Sequence, residues 1–143
     1  MEPFGLEMKI AQLRKVPILR QCTRRELIAV ARHAEVIQVP AAQTVVRAGE
    51  PGAEFFMILD GTAKVEVSAR RRLQLGPGDF FGEMSLLDGE PRSATVVAET
   101  ALRLLLVRRR DFWTLLTEVP DLAKRILMTL SRRVRLAERS VLD

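Results

Sequence analysis

At 143 residues, with 48% hydrophobic and 29% charged residues, the chain can bury a core of its own as one globular domain. No apolar run nears the roughly 20 residues of a membrane span, and Met-Glu-Pro-Phe-Gly does not open a signal peptide, so a cytoplasmic protein is expected. One cysteine and one histidine exclude an internal disulfide and a multi-histidine metal centre, and a net charge of +5 raises the question of an anionic partner.

Leu6, Ile10, Leu13 and Val16 recur at spacings of three and four, which predicts an amphipathic helix ended by Pro17. Thr23-Arg-Arg-Glu26 reads as a capping box, opening a second helix with Leu27, Val30 and Ala34 on one face. His33 lies in that helix with no acidic residue at ligand spacing, so it reads as a surface or core residue. Cys22 reads as a structural thiol, although Arg24 and Arg25 beside it would lower its pKa.

The period then changes to two. Strands are predicted from Val36 to Val39, over Thr44-Val-Val-Arg47, from Glu54 to Leu59 and from Ala63 to Ser68. Others follow at Leu73 to Leu75, Ala94 to Ala98 and Ala101 to Val107. Seven of the eight glycines fall between Gly49 and Gly89 and punctuate these strands. Short strands with Gly/Pro turns and no long helix between them predict an antiparallel sandwich, roll or barrel.

Helix returns at the end. Asp111 is expected to cap a helix bearing Phe112, Leu115, Leu116 and Val119, interrupted by Pro120. A longer helix runs from about Asp121 toward Leu142, with Leu122, Ile126, Leu130 and Val134 nearly in register. Between Arg108 and Arg139 stand nine Lys/Arg against four Asp/Glu, the whole of the net charge. This segment reads as a solvated basic face before it reads as a nucleic-acid surface.

The chemistry is concentrated in Leu75-Gly-Pro-Gly-Asp-Phe-Phe-Gly-Glu-Met-Ser-Leu-Leu-Asp-Gly-Glu-Pro-Arg-Ser-Ala-Thr-Val-Val97. One carboxylate, Glu83, precedes one guanidinium, Arg92, by nine residues, with one or two helical turns predicted over Met84 to Leu87. Gly82 permits close backbone approach at the helix start, where free N–H groups favour an anion. An arginine fork matches two phosphate oxygens, and a carboxylate suits a sugar hydroxyl. Together they describe a pocket for a ribose phosphate.

This string, with Gly49-Glu-Pro-Gly-Ala-Glu-Phe-Phe-Met-Ile-Leu-Asp-Gly61 ahead of it, resembles the cyclic-nucleotide-binding domain family. That family is shared by cAMP-dependent kinase regulatory subunits, nucleotide-gated channels and bacterial catabolite-activator-type regulators. The resemblance implies an α+β domain over residues 1–143. N-terminal helices would occupy 1–34 and an antiparallel, jelly-roll-like β-roll 35–107, with a phosphate-binding cassette at 80–95. A C-terminal hinge and lid helix pair would occupy 108–143. It implies a ligand site at Phe81, Gly82, Glu83, Met84, Ser85, Arg92, Ser93 and Ala94, covered by Arg133. Glu83 would accept the ribose 2′-hydroxyl and Arg92 would pair with the cyclic phosphate. Amides near Gly82 and Ser85, with the Ser93 hydroxyl, would complete the cradle. Ser85 stands where the family usually has alanine, a change tolerated if the amide is the ligand. The side chains of Phe80, Phe81, Leu86 and Leu87 are assigned to core packing.

Arg133 falls where some bacterial channel domains place an arginine over the purine, with Arg132 and Arg135 as neighbouring alternatives. Ser93 is compatible with either nucleotide, and the reading leans to cAMP over cGMP. No cofactor, metal or catalytic residue is expected. Ligand capture would draw the cassette helix inward and let the hinge near Phe112 and Trp113 swing, closing the last helix over the base. That helix would address an effector or a second copy of the chain. A catabolite-activator-type DNA-binding factor needs a helix-turn-helix after the lid, so that alternative is expected to hold only if these 143 residues are a fragment of a longer chain. A cupin-like enzyme would need several histidines. A ligand-blind interaction module would not need both Glu83 and Arg92.

Overall fold

The computed structural model describes residues 5–68 and 71–142. Residues 1–4 and Asp143, the outermost residues of the expected unit, lie outside the described residues. The amphipathic pattern forms α1 (Leu6–Arg14), a 3-10 turn follows at Pro17–Leu19, and α2 spans Arg24–Arg32. The capping box forms as expected: the Glu26 amide donates to the Thr23 hydroxyl at 3.1 Å, and the Thr23 amide donates to Glu26 Oε1 at 2.8 Å. The buried Lys9 ammonium donates to the carbonyls of Ala31 at 3.4 Å and Ala34 at 3.3 Å, satisfying acceptors where α2 ends.

Among the described residues eight strands follow: β1 (Glu35–Val39), β2 (Thr44–Val46), β3 (Glu54–Asp60), β4 (Ala63–Ser68), β5 (Arg71–Leu75), β6 (Phe80–Phe81), then β7 (Thr95–Ala98) and β8 (Leu102–Arg108). The short helix α3 (Glu83–Asp88) lies between β6 and β7, and α4 (Arg109–Glu118) and α5 (Pro120–Leu142) close the chain. The strands form two four-stranded antiparallel sheets, ordered β1-β8-β3-β6 and β2-β7-β4-β5, which make a β-roll flanked by helices.

This arrangement explains the uneven strand patterns. β3 and β8 are covered on both faces. Phe56, Ile58, Leu102 and Leu104 fill the space between the sheets, while Phe55, Met57, Leu105 and Val107 pack against the helices. Such strands read as continuous apolar runs, not as alternation. β4 keeps its alternation because Ala63 packs between the sheets while its neighbours face outward more fully. The helices contribute Ile10, Leu13, Leu27, Val30, Phe112, Leu115, Leu122 and Ile126 to the second core.

Five expectations change. Asp111 does not cap α4: the cap position is Arg108, and the Asp111 carboxylate lies 3.0 Å from His33 Nδ1. His33 therefore has acidic neighbours after all, with Glu118 Oε2 3.7 Å from its Nε2. Cys22 is buried, and that burial pushes its thiol up, with Glu26 adding to the effect. Leu87 is not core: it is 47% exposed, on the outer side of α3. The predicted register of α5 holds for Leu122, Ile126 and Leu130, but Val134 is exposed where the helix runs past the core. Arg125 is structural, donating to the Ile18 carbonyl and to Gln21 Oε1, each at 2.8 Å. No helix among the described residues is long and apolar enough to cross a membrane.

Candidate functional site

The site is assembled where β6 turns into α3. Pairing of Phe81 with Phe56 and of Phe80 with Met57 delivers the chain to Gly82, whose φ of 90° is left-handed. A Cβ at Gly82 would stand 2.7 Å from the Glu54 carbonyl oxygen and 2.8 Å from Arg92 Nη1, so glycine is required for space as well as conformation. On the other side, a Cβ at Gly52 would stand 2.0 Å from Arg92 Nε. The arginine is thus held between two glycines.

Arg92 lies in the loop between α3 and β7. Its carbonyl accepts from the Gly49 amide at 2.8 Å, and its amide donates to the Glu50 carbonyl at 2.9 Å. These bonds bring together the two glycine-marked segments that stand far apart in sequence. The side chain is 5% exposed. Nη1 donates to the Gly82 carbonyl at 3.0 Å. Nη2 donates to the Glu54 carbonyl at 3.0 Å and to Glu54 Oε2 at 3.2 Å. A cavity of about 270 Å³ opens beside it, lined by Arg92, Glu54, Phe56, Val46, Arg47 and Leu106 among others. Glu83 does not line that cavity.

Glu83 is the first residue of α3, and its side chain is 6% exposed. Its partner is Arg133 of α5: Nη1 donates to Glu83 Oε1 at 3.0 Å, and Nη2 donates to the Phe80 carbonyl at 2.7 Å. The Arg133 guanidinium also lies 4.5 Å from the centre of the Phe80 ring. Burial pushes the Glu83 carboxyl above its ordinary range, against the opposing pull of Arg133, its own amide and Arg92. Burial pushes the Arg92 guanidinium down, against Glu54 and then Glu83. Both charges adjoin Gly82, Arg92 through its bond to the Gly82 carbonyl and Glu83 as the next residue in the chain, each with a different partner. They do not pair with each other.

The other expected residues divide. Ser85 is buried, and its carbonyl accepts from Arg109 Nη2 at 3.2 Å, which ties α3 to the start of α4. Phe81 is buried against Phe56, with ring centres 5.0 Å apart, and belongs to the core between the sheets. The Ser93 hydroxyl is 3.7 Å from Met84 Sδ; both residues are exposed, and Ala94 is half-buried. Arg132 and Arg135 are exposed, while Arg133 alone of the three reaches the cassette. Sequence reasoning missed Glu54, Gly52 and Arg109. All three act through contacts made by the fold, and only the glycine-marked hairpin around Gly52 and Glu54 carried a signal. Among the described residues no cluster of three or more His, Cys, Asp and Glu could hold a metal.

Comparison with known proteins places the sequence and the fold. The profile of the family described as cyclic nucleotide-binding domain matches residues 36–118. A cyclic nucleotide-gated potassium channel of Mesorhizobium japonicum is 39% identical over 109 residues, covering 76% of this chain and 30% of the channel. The catabolite activator protein of Thermus thermophilus superposes with a TM-score of 0.78 at 28% identity, covering 87% of this chain and 61% of that one. The regulatory domain of Toxoplasma gondii PKA, crystallised with cAMP, superposes with a TM-score of 0.72 at 27% identity, covering 87% of this chain and 50% of that one. The chain spans 28 to 33% of the length of the curated relatives it matches. In sequence, over residues 36–118, and in fold, this chain belongs to the cyclic nucleotide-binding domain family.

Proposed function

We propose that the chain is a cAMP sensor. Arg92 takes the cyclic phosphate, and Glu83 accepts the ribose 2′-hydroxyl. The backbone from Phe81 to Ser85, with Ser93 and Ala94, lines the cradle, and Arg133 of α5 covers the base. The observation that carries this reading is the pair of buried charges that adjoin Gly82. Each is balanced by a partner free to withdraw to water: Glu54 and Arg133 have side chains 40% and 36% exposed. A buried ion pair contributes little to stability over an apolar substitute, so two such half-open pairs at one helix start favour a ligand-exchange site. The relative from Toxoplasma gondii was crystallised with cAMP, which supports that nucleotide here.

Output would follow from exchange of partners. A ribose hydroxyl arriving at Glu83 competes with Arg133, releasing its guanidinium to stack on the purine. The Arg109 bond to the Ser85 carbonyl offers a route from α3 to α4 and so to α5. A ligand moves α5 only as far as it prefers one position over another. The packing of both helical ends on the roll supports one binding unit over residues 1–143, with α5 presented to an effector or a second copy.

Calorimetric titration with cAMP, cGMP, 5′-AMP and 2′-deoxy-cAMP tests the proposal. The expected order is cAMP tightest, with 5′-AMP and the 2′-deoxy analogue clearly weaker. Tighter binding of cGMP would reverse the selectivity, and failure of every cyclic nucleotide to bind would end the reading.

A further inference from the structure

The Arg92 site already contains an anion of the protein's own. The two Nη atoms are anchored on backbone carbonyls, those of Gly82 and Glu54, which the β6–α3 turn and β3 hold in place. Gly52 and Gly82 close on the side chain from two sides, leaving the guanidinium no room to turn away. Its charged partner is Glu54 Oε2 at 3.2 Å, and Glu54 and Arg92 line the same cavity. A phosphate docking on Arg92 from that cavity meets a carboxylate on the same Nη2. Two anions cannot share one guanidinium nitrogen without repulsion, so one gives way. The arginine is fixed and buried. The glutamate side chain is 40% exposed, and its second hold is the Ala53 amide at 3.2 Å.

We infer that the Glu54 carboxylate is an internal competitor for the phosphate-binding arginine, and that it must swing off Arg92 for a cyclic nucleotide to dock. This rests on the proposal that Arg92 receives the phosphate, and it adds a residue that sets the affinity. The competing bond is charge-assisted but half in water, so its loss is read as a modest gain: Glu54→Gln should bind cAMP roughly 5- to 10-fold more tightly. The gain should lie mainly in a faster association rate, because a carboxylate no longer has to leave before the phosphate arrives. A purely structural role would not produce that change.

The experiment is a titration and a stopped-flow measurement with a fluorescent cAMP derivative on wild type, Glu54→Gln and Glu54→Ala, with melting curves confirming the fold. Tighter and faster binding in the variants is the expected result. The near-isosteric glutamine variant carries the test if the alanine variant does not fold. Unchanged or weaker binding by folded Glu54→Gln overturns the competitor role while leaving the nucleotide site intact. Failure of the wild type itself to bind the probe overturns instead the reading on which the inference stands.

Discussion

Glu83 is a carboxylate held almost out of water at the start of a six-residue helix, with Arg133 as its counter-ion. Burial raises its folded-state value above the ordinary 4.5, so between that value and the raised one the native protein holds more protons than the unfolded chain. The stability it contributes is therefore full below the unfolded value and is lost as pH rises through the folded one. Urea unfolding of wild type and Glu83→Gln from about pH 4 to about pH 7 should show the wild type losing ground to the variant as pH rises. Parallel curves would mean that the buried carboxyl is no burden at neutral pH. The sequence singles out Glu83 and Arg92 as candidates because both lie in one string with a fixed local spacing. Glu54 was not, since its contact with Arg92 spans 38 residues and depends on how β3 meets the β6–α3 turn. The sequence also does not distinguish Arg133 from Arg132 and Arg135; helix phase does, by turning only Arg133 toward Phe80 and Glu83.

At the scale of elements, local signals worked where local bonds decide. The Thr23 capping box was readable because its donors and acceptors are three residues apart. Thr23→Ala should cost about 1 kcal/mol in a denaturant titration, with nucleotide affinity unchanged because α2 lies outside the cassette. A loss well below about 0.5 kcal/mol would mean that tertiary packing, not the cap, holds the start of α2. Asp111 does not cap α4 because β8 runs on to Arg108 and the helix opens at Arg109, which puts Asp111 inside the first turn, where its carboxylate lies beside His33. Leu87 failed as a core residue because α3 buries one face only, that of Glu83, Ser85 and Leu86, and Leu87 lies outside it. The two-residue β6 was invisible to periodicity, being too short to show any period at all. It is nonetheless the strand that aims Gly82 at Arg92.

For the whole molecule, helix–β–helix order and the glycine-rich middle predict an antiparallel sandwich, roll or barrel, and only the family resemblance narrows that to a roll. Which strands are neighbours is not predicted, because β8 lies between β1 and β3 and no local pattern records that order. The doubly covered β3 and β8 place helices on one side of a sheet and the second sheet on the other, so the roll and the helices share a wall. Two contacts join the cassette to the C-terminal helices, Arg133 of α5 on Glu83 and Arg109 of α4 on the Ser85 carbonyl. Everything proposed for the molecule depends on the guanidinium at 92 being where the phosphate is held. The most direct measurement is cAMP affinity of Arg92→Gln against wild type, both confirmed folded. Removing that charge should cost about 2–5 kcal/mol, a loss of roughly thirty- to several-thousand-fold. A folded variant that binds cAMP as tightly as the wild type would contradict the account.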